Sequence, residues 1–253
     1  MEAVVSKKII QVKNNKIHPL EDSLAAEVKI KIIVNNKELI SLSATPLHIK
    51  ELITGFLLTE NIIKDNWCPQ EIKFYEENKE IKVNISLNGF IDLNKKILTS
   101  DCMASFSFIK DLPEKYEDDF KIRIKDLFLL FRNFQKKSKL YKSTGCIHCA
   151  GIADLENIIF LAEDIGRHNA VDKVIGYAFL NKFSLRNKVL LVSGRISSEM
   201  VLKAGKLKIP IIVSRTAPTS LAVELAEKIG LTVIGFLRGN RCNIYTYPYR
   251  VIL

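Results

Sequence analysis

The chain has 253 residues, of which 47% are hydrophobic and 26% are charged, and its formal net charge is +10 at pH 7. This composition is typical of a globular protein, and the length allows one large or two ordinary domains with real cores. It excludes a chain of low complexity, and no apolar run is long enough to form a transmembrane helix.

The beginning of the chain has no apolar core of the kind that defines a secretion signal. The five cysteines are widely spaced and odd in number, so they do not resemble a disulfide framework and fit a reducing compartment. We therefore expect a cytoplasmic protein that does not associate with membranes.

The positive charge is concentrated in residues 121–150 and 181–215, where Lys and Arg far outnumber Asp and Glu. Such a surface can serve solubility alone, or it can attract a polyanion. Because the chain lacks helix-turn-helix, zinc-finger and ribonucleoprotein signatures, a phosphate-rich ligand is favoured over nucleic acid.

The first part of the chain, residues 1–115, is predicted to be rich in β-structure. Apolar residues alternate with lysines over residues 28–34, and Asn35 and Asn36 supply a hairpin turn. Residues 94–108 lack any periodicity and are predicted to form a loop, which contains Cys102. Strands are predicted over residues 28–34, 38–42, 72–75 and 81–85, and a helix over residues 49–57.

A polar, acidic stretch with Pro113, residues 111–120, is the best candidate for a domain boundary. It divides the chain into an N-terminal β-rich domain, residues 1–120, and a C-terminal α/β domain, residues 121–253. The second domain should begin with a helix whose apolar face includes residues 127–134 and whose last turns carry lysines, as the helix dipole favours.

Four continuous apolar runs alternate with helical patterns in the second half. This arrangement predicts buried strands of a mostly parallel sheet, and hence an α/β fold. The strands are predicted over residues 158–162, 189–192, 211–213 and 233–237. The helices are predicted over residues 170–180, 198–205 and 220–229, with N-caps at Ser197 or Ser198 and at Thr219 or Ser220, and with ends at Gly205 and Gly230.

Each of the four apolar runs is followed by a polar segment that contains at least one arginine. Parallel strands end at the same edge of a sheet, and open α/β sheets bind ligands there, so we expect the four segments to converge on an anionic ligand. At the first segment, Asp164 is expected either to orient His168 for proton transfer or to cap the following helix. The candidate residues are Asp164, Arg167 and His168; Ser193, Gly194 and Arg195; Ser214 and Arg215; and Arg238, Gly239, Asn240 and Arg241.

Two groups of cysteines are candidates for thiol chemistry. Cys146 and Cys149 enclose His148, and such a pair can be redox-active, carry sulfur, supply two zinc ligands or simply be buried. They follow a long helix, so we expect them to be more fixed and more buried than Cys102. Cys102 lies in a polar loop, and an accessible thiol is what a sulfur-carrying nucleophile requires.

The motifs, taken in order, closely resemble those of the FdhD/NarQ family of formate dehydrogenase accessory sulfurtransferases. Thr144-Gly145 with His148 is similar to a further mark of the family. The principal motifs are residues 55–63 (GFLLTENII), 163–173 (EDIGRHNAVDK), 193–195 (SGR), 214–220 (SRTAPTS) and 235–241 (GFLRGNR).

This resemblance implies a C-terminal domain like that of cytidine deaminases, without their zinc chemistry and without a permanently bound metal. It implies transfer of persulfide sulfur from a cysteine desulfurase to the molybdenum or tungsten bis-pterin guanine dinucleotide cofactor of formate dehydrogenase, by a homodimer. The family's cofactor-binding stretch corresponds to Phe236, Leu237, Arg238, Gly239, Asn240 and Arg241.

One departure from the family pattern concerns its loop with two cysteines. Cys102 corresponds to the first, whereas Ser105 stands at the second. This departure leaves three alternatives. Cys102 alone serves as the persulfide carrier, or Cys146 and Cys149 have taken over that role. In the third, the protein binds the cofactor without transferring sulfur, as a chaperone would. A zinc-dependent hydrolase is a weaker alternative, because Cys146 and His148 lack the glutamate and the proline of the deaminase signature.

Overall fold

The computed structural model describes residues 1–63, 72–77, 80–87, 97–98, 104–105 and 112–253. The first part of the chain contains mostly strands, as predicted. Its elements are β1 (Val4–Lys13), β2 (Lys16–Ala25), β3 (Val28–Val34), β4 (Lys37–Ala44), α1 (Ile49–Thr59), β5 (Ile72–Glu77), β6 (Glu80–Ile85), β7 (Ile97–Leu98) and β8 (Ala104–Ser105).

The second part alternates strands and helices. Its elements are β9 (Ile122–Arg123), α2 (Ile124–Lys137), α3 (Lys139–Thr144), β10 (His148–Ala153), β11 (Ile158–Asp164), α4 (Arg167–Leu180), β12 (Val189–Val192), α5 (Ser198–Lys206), β13 (Ile211–Ser214), α6 (Ser220–Ile229), β14 (Thr232–Arg238), β15 (Arg241–Ile244) and β16 (Val251–Ile252). The mixed α/β class predicted from the sequence is confirmed. Within the described residues, no helix is long and apolar enough to cross a membrane.

An N-terminal sheet forms in the order β4-β3-β6-β5. In β3, Val28, Ile30, Ile32 and Val34 are buried while Lys29 is exposed, which confirms the predicted alternation. Asn35 and its neighbour both have positive φ, as a two-residue hairpin turn requires.

One feature of this half was not assigned from the sequence, and another corrects the sequence-based prediction. Residues 4–25 form a separate two-stranded antiparallel ribbon, β1 with β2, within the part expected to be rich in β-structure. Within the predicted loop 94–108, β7 and β8 pair antiparallel, so the expectation of a continuous loop was wrong at those residues. Cys102 and its flanking residues 99–103 lie outside the described residues.

The C-terminal sheet has the order β11-β10-β12-β13-β14-β15. The strands β12, β13 and β14 are parallel, whereas β10 is antiparallel to both of its neighbours. It follows that β11 runs in the same direction as β12. All four predicted strands therefore share one direction, and the two strands that were not predicted, β10 and β15, run in the opposite direction.

The predicted helices of this half form close to their expected positions. Ser197 and Thr219 are the N-cap residues of α5 and α6, and the Thr219 side chain accepts a hydrogen bond from the backbone N–H of Ala222. Gly230, at φ 82°, ends α6 as predicted, whereas α5 continues to Lys206, past the predicted end at Gly205. These caps fix where each helix starts and therefore how the sheet edge is built.

The two faces of the C-terminal sheet are covered by different elements. One face packs with α4, α5 and α6 in a core that also includes β3, β6 and α1 of the first half. The other face is covered by α2 through Leu127, Phe131 and Phe134. The proposed boundary at residue 120 stays a prediction, but the buried core is continuous across it.

The acidic stretch before the second half is attached to the molecule by buried side chains. The guanidinium of Arg250 is fully buried and forms an ion pair of 2.8 Å with Asp118. It lies over the rings of Tyr116, Tyr247 and Tyr249. The Tyr116 hydroxyl donates to the carbonyl of Ile209. This part of the chain, described from residue 112, is therefore held in place.

Candidate functional site

The carboxyl ends of β11, β12, β13 and β14 meet at one edge of the sheet, which we call the carboxyl edge. Strand pairing aligns Val192 with Ser214, and the antiparallel β10 begins at this edge because His148 pairs with Asp164. The sheet thus brings together the segments that follow the four strands, as the alternating pattern predicted. It also adds His148, which was predicted as part of the Cys-x-x-Cys segment and as part of a further family mark with Thr144 and Gly145.

Asp164 is buried and serves as a structural anchor at this edge. Its carboxylate accepts hydrogen bonds from the backbone N–H groups of Thr45 and Gly166 and from the side-chain amide of Asn169. Lys173 forms an ion pair of 2.6 Å with it, inside the core. Because these partners occupy both carboxylate oxygens, Asp164 connects β4, β11 and α4.

His168 lies at the start of α4 with its Nε2 atom 3.2 Å from the hydroxyl of Ser197. Burial, together with the nearby charges of Lys203 and Arg167, lowers the pKa of His168 to about 3. The imidazole is therefore neutral at physiological pH. Gly166 is the N-cap residue of α4, and the Asp164 carboxylate accepts a hydrogen bond of 2.8 Å from its backbone N–H, so Asp164 bonds at the start of the helix without being the N-cap residue itself.

The segment after β12 allows the backbone to approach two candidate site residues, Arg167 and His148. A Cβ atom on Gly194 would lie 3.2 Å from both the Arg167 side chain and His148 Nδ1, so glycine permits a close contact here. Ser193 accepts a hydrogen bond of 2.9 Å from the backbone N–H of Cys149. Its hydroxyl also lies 3.4 Å from His148 Nδ1.

The hydroxyl of Ser214 connects two neighbouring segments of the edge. It donates to the carbonyl of Gly194 at 2.6 Å and accepts from the backbone N–H of Thr216 at 3.0 Å. Ser193 and Ser214 thus shape the edge through internal hydrogen bonds. Arg195 and Arg215 are at least partly exposed, so positive charge faces the solvent above this framework.

The fourth segment is the tip of a β-hairpin that extends past the edge. Arg238 pairs with Arg241 across a turn formed by Gly239 and Asn240, and both arginines are exposed. The backbone N–H of Phe236 donates to Thr216, and Arg238 Nε donates to the carbonyl of Arg215 at 3.3 Å. Leu237 is buried, so within this stretch it contributes to the core.

A cleft of about 500 Å³ opens between α2, α3 and the start of β10 at this edge. It combines an aromatic and aliphatic floor with a few polar groups, an arrangement typical of sites for small molecules. Its lining residues are Phe131, Phe134, Gln135, Ser138, Tyr141, Gly145, Cys146, Ile147, His148, Cys149, Ile165, Ser193 and Arg215.

The two thiols of this cleft have different environments. Cys149 is buried, its Sγ lies 2.7 Å from the Ser138 hydroxyl and 3.6 Å from Glu163, and burial raises its pKa to about 12. Cys146 is exposed at the cleft. The expectation that both are more buried than Cys102 stays a prediction, because Cys102 lies outside the described residues; of the two, Cys149 is buried and Cys146 is exposed, since the turn after α3 places Cys146 at the surface.

Sequence reasoning missed Glu163, although it stands next to Asp164. Its carboxylate accepts hydrogen bonds from the Ser138 hydroxyl and from three backbone N–H groups at the start of α3. This bonding holds α3 against β11 and so forms one wall of the cleft. A charged glutamate at the end of an apolar strand indicates a bonded carboxylate, but the sequence could not show that its partner is the distant helix α3.

Within the described residues, no group of three His, Cys, Asp or Glu side chains is arranged to hold a metal ion. The buried imidazole of His168 lies beside the hydroxyl of Ser197, which is not one of the His and Cys ligands that deaminase zinc sites use. The predicted absence of a metal site stays a prediction for the protein as a whole.

A comparison with models of known protein families shows to which family the chain belongs. The model of the FdhD/NarQ family matches residues 25–252. The chain belongs to this family.

Relatives within the FdhD/NarQ family match nearly the whole chain. The sulfur carrier protein FdhD of Bacillus pumilus is 36% identical over 246 residues, covering 91% of this chain and 90% of that protein. The sulfur carrier protein FdhD of Bacillus subtilis is 35% identical over 252 residues, covering 93% and 92%. A crystal structure of a candidate formate dehydrogenase accessory protein from Desulfotalea psychrophila matches with a TM-score of 0.80 and 27% identity, over 99% of this chain and 100% of that one.

Proposed function

We propose that this FdhD/NarQ family member is a sulfur carrier that is needed for formate dehydrogenase activity. It takes persulfide sulfur from a cysteine desulfurase and passes it to the molybdenum or tungsten bis-pterin guanine dinucleotide cofactor, which it binds as a client ligand. The names of its relatives and of its structural neighbour support the carrier and accessory roles. We also propose that it acts in the cytoplasm as a homodimer.

The observation that carries this proposal is the basic carboxyl edge beside a cleft with an exposed thiol. Arg215 lines the cleft together with Cys146 and His148, and it is bonded through its carbonyl to Arg238 on the neighbouring hairpin. Guanidinium groups bind phosphate oxygens in bidentate fashion, so such an edge suits the pyrophosphates of a dinucleotide cofactor. Phe236 and the aromatic floor of the cleft offer surfaces on which a flat heterocycle can stack.

Loading of the carrier requires a thiolate and no redox partner. The carrier thiolate attacks the outer sulfur of the desulfurase persulfide, the donor cysteine leaves as its own thiolate, and the carrier becomes the persulfide. We assign this step first to Cys102, and second to Cys146, which is exposed at the basic edge. Cys149 is the weakest candidate, because its raised pKa keeps it protonated at neutral pH.

Four variants test the assignment: Cys102→Ala, Cys146→Ala, Cys149→Ala and, as a matched control, Cys242→Ala. Each is incubated with a cysteine desulfurase and cysteine, the gain of one sulfur atom is measured by intact mass, and activation of formate dehydrogenase is then assayed. We expect only Cys102→Ala to lose both signals. If Cys146→Ala loses sulfur loading and activation instead, the carrier thiol is in the cleft and the assignment to Cys102 is wrong.

The replacement of the second loop cysteine by Ser105 favours one alternative, a cofactor-binding chaperone without sulfur transfer. In that case all four variants activate formate dehydrogenase like the parent protein, and none gains sulfur. The weaker alternative, a zinc-dependent hydrolase, requires stoichiometric zinc that survives dialysis against a chelator. We expect none, because closed zinc sites need four suitable ligands.

A further inference from the structure

A single carboxylate stands among the arginines of the carboxyl edge. The segments that follow the four strands, together with the helix starts attached to them, are residues 165–168, 193–199, 214–220 and 238–241. Glu199 is their only acidic residue, against five arginines. A carboxylate repels phosphate, so its presence at an edge that suits an anionic ligand requires an explanation.

The bonding of Glu199 differs from that of the structural carboxylates nearby. Glu199 lies in the first turn of α5, where the helix dipole favours a negative charge. Its Oε2 atom is nevertheless buried and, within the described residues, has no hydrogen-bond partner. Glu163 and Asp164 at the same edge each accept several hydrogen bonds. Because buried polar atoms are nearly always bonded, we expect the partner of Glu199 Oε2 to come from outside the chain.

Glu199 lies beside groups that we assign to cofactor binding. Its charge is close enough to act on the guanidinium of Arg167, where it opposes the lowering of the Arg167 pKa by burial and by Arg195. The Arg167 side chain in turn lies against Gly194, as does His148, which lines the cleft. Gly194 places no side chain between these two residues. Glu199 and the cleft are thus connected along one edge through Arg167 and Gly194.

The chemistry of a carboxylate limits what can bond to it. An ionised carboxylate only accepts hydrogen bonds, and its two oxygens are spaced to receive two parallel N–H donors. A 2-amino-4-oxopyrimidine edge presents such a pair, a ring N–H beside an exocyclic amino group. Guanine carries this edge, and so does the pterin ring, so each pterin guanine dinucleotide contains it twice. Adenine lacks this pair, and xanthine has a carbonyl in place of the amino group.

We propose that Glu199 binds the 2-amino-4-oxopyrimidine edge of the cofactor and so selects guanine or pterin against other heterocycles. This assignment rests on the cofactor binding proposed above and adds the residue that recognises the ring. The arginines of the edge hold the phosphates, while Glu199 accepts the ring N–H and the amino group. The negative side chain of the edge then bonds to the uncharged part of the ligand, where it repels no phosphate.

The first arm of the test exchanges the base and the residue together. Titration calorimetry measures the dissociation constants of GDP, inosine diphosphate, xanthosine diphosphate and ADP for the parent protein and for Glu199→Gln. In the parent, GDP should bind about a hundredfold more tightly than xanthosine diphosphate or ADP, and about tenfold more tightly than inosine diphosphate, which lacks only the amino group. In Glu199→Gln, GDP should weaken about a hundredfold, whereas xanthosine diphosphate should gain affinity because the side-chain amide donates to its carbonyl.

The second arm distinguishes the two sources of this edge. It repeats the titrations with 6-carboxypterin and with 6-carboxylumazine, in which a carbonyl replaces the amino group. If Glu199→Gln changes the preference among nucleotides only, Glu199 binds the guanine end of the cofactor. If it changes the preference between the pteridines only, Glu199 binds the pterin end, and a change in both arms assigns both rings to the same subsite.

The measured preference is a ratio of two constants in one protein, so it does not depend on how much of that protein is folded. The matched control is Glu224→Gln, which alters an exposed glutamate of α6 and should leave every constant unchanged. Three results overturn the proposal. They are a parent without preference for the amino form in either arm, a Glu199→Gln variant with the parent's preference in both arms, and a shift of equal size in Glu224→Gln.

Failure of this assignment can be told apart from failure of the proposed function. A parent protein that binds GDP, with the same preference in Glu199→Gln and no change between the pteridines, retains cofactor binding and excludes Glu199 as the recognising residue. Sulfur loading by the desulfurase is measured on each variant by intact mass, and it reports on the carrier function independently of either arm.

Discussion

The polar residues of the carboxyl edge divide into those that build it and those that face the solvent. Asp164, Ser193 and Ser214 form their hydrogen bonds with backbone groups and buried side chains. Arg238 and Arg241 are exposed at the hairpin tip. Substitutions in the first group should therefore change the fold, and substitutions in the second should change ligand binding alone.

We predict that Arg238→Ala and Arg241→Ala each weaken the binding of GDP ten- to a hundredfold. A lost guanidinium–phosphate contact costs about 1.5–3 kcal/mol. The measurement is titration calorimetry, and Arg186→Ala, an exposed arginine outside the carboxyl edge, is the control. Unchanged GDP affinity in both hairpin variants would remove this tip from the binding site.

The thiols of the cleft should differ in their rate of alkylation. Burial raises the pKa of Cys149 to about 12, so at pH 7.5 almost none of it is thiolate. We predict that iodoacetamide modifies the exposed Cys146 well before Cys149, as followed by peptide mass spectrometry over time. The order should disappear in mild denaturant, where both side chains are accessible. Equal rates in the native protein would show that Cys149 is not held as described.

His168 should make stability depend on pH. Its pKa is about 3 in the folded chain against an ordinary value of 6.5, so below pH 6.5 the unfolded chain binds a proton that the folded chain does not. The free energy of unfolding should then fall as pH drops from 6.5 toward 3, with a slope that approaches about 1.4 kcal/mol per pH unit. Urea unfolding at pH 5, 6 and 7 should show a smaller slope for His168→Gln than for the parent, and parallel slopes would contradict the prediction.

At the scale of elements, the crossing of α1 with α4 is unusually close. A Cβ atom on Gly55 would lie 1.8 Å from the carbonyl oxygen of Asp172, and one on Gly176 would lie 1.9 Å from that of Glu51. Both neighbours are backbone atoms that cannot rotate away. The two glycines therefore allow the helix of the first half to lie directly on a helix of the second.

We predict that Gly55→Ala and Gly176→Ala each destabilise the protein by about 1–3 kcal/mol or more, since overpacking displaces both helices. Gly205→Ala in α5 is the matched control. Its nearest obstacle is the flexible end of the Ile229 side chain, and alanine favours a helix. Chemical denaturation should show a large loss for the first two variants and little for the third. A comparable loss in the third would indicate that any methyl group added to these helices is harmful.

The sequence predicted elements with strong periodicity and missed those without it. The strands at 158–162, 189–192, 211–213 and 233–237 were evident because long apolar runs were separated by good helix caps. Strand β10 was missed because His148–Ala153 is made mostly of small residues and includes one of the two cysteines, so it contains no continuous apolar run. The ribbon was missed because its two strands are mostly exposed and carry no regular alternation of buried and exposed residues.

The site was predictable to the extent that it follows from strand direction. Because parallel strands end together, the order of apolar runs and helices was enough to assign the segments around Arg167, Arg195 and Arg215 to one edge. The bonding of Glu163 to α3 and of Lys173 to Asp164 could not be predicted in this way, because it depends on how separate elements pack against one another. Cys102 lies outside the described residues, so its role stays a prediction.

At the scale of the whole molecule, buried charges connect the two halves. Lys203 of α5 forms an ion pair with Asp172 of α4 and donates a hydrogen bond to Thr59 of α1. Lys173 reaches both Asp164 and the carbonyl of Thr45. Removing the first half would leave both ion pairs intact but would delete the hydrogen bonds to Thr59 and Thr45, so the two buried lysines would lose part of their bonding.

The two halves should consequently unfold together. We predict a single calorimetric transition whose measured and van't Hoff enthalpies agree, as for a two-state protein. A fragment of residues 121–253 should lack a cooperative transition, because it exposes the face of α4 that α1 covers and leaves Lys203 and Lys173 without part of their bonding. Arg250→Ala should lower the single transition temperature without splitting it, because the buried ion pair with Asp118 lies within the same unit. Two separate transitions in the parent protein would show that the shared core does not couple the halves, and that the boundary near residue 120 divides two independent domains.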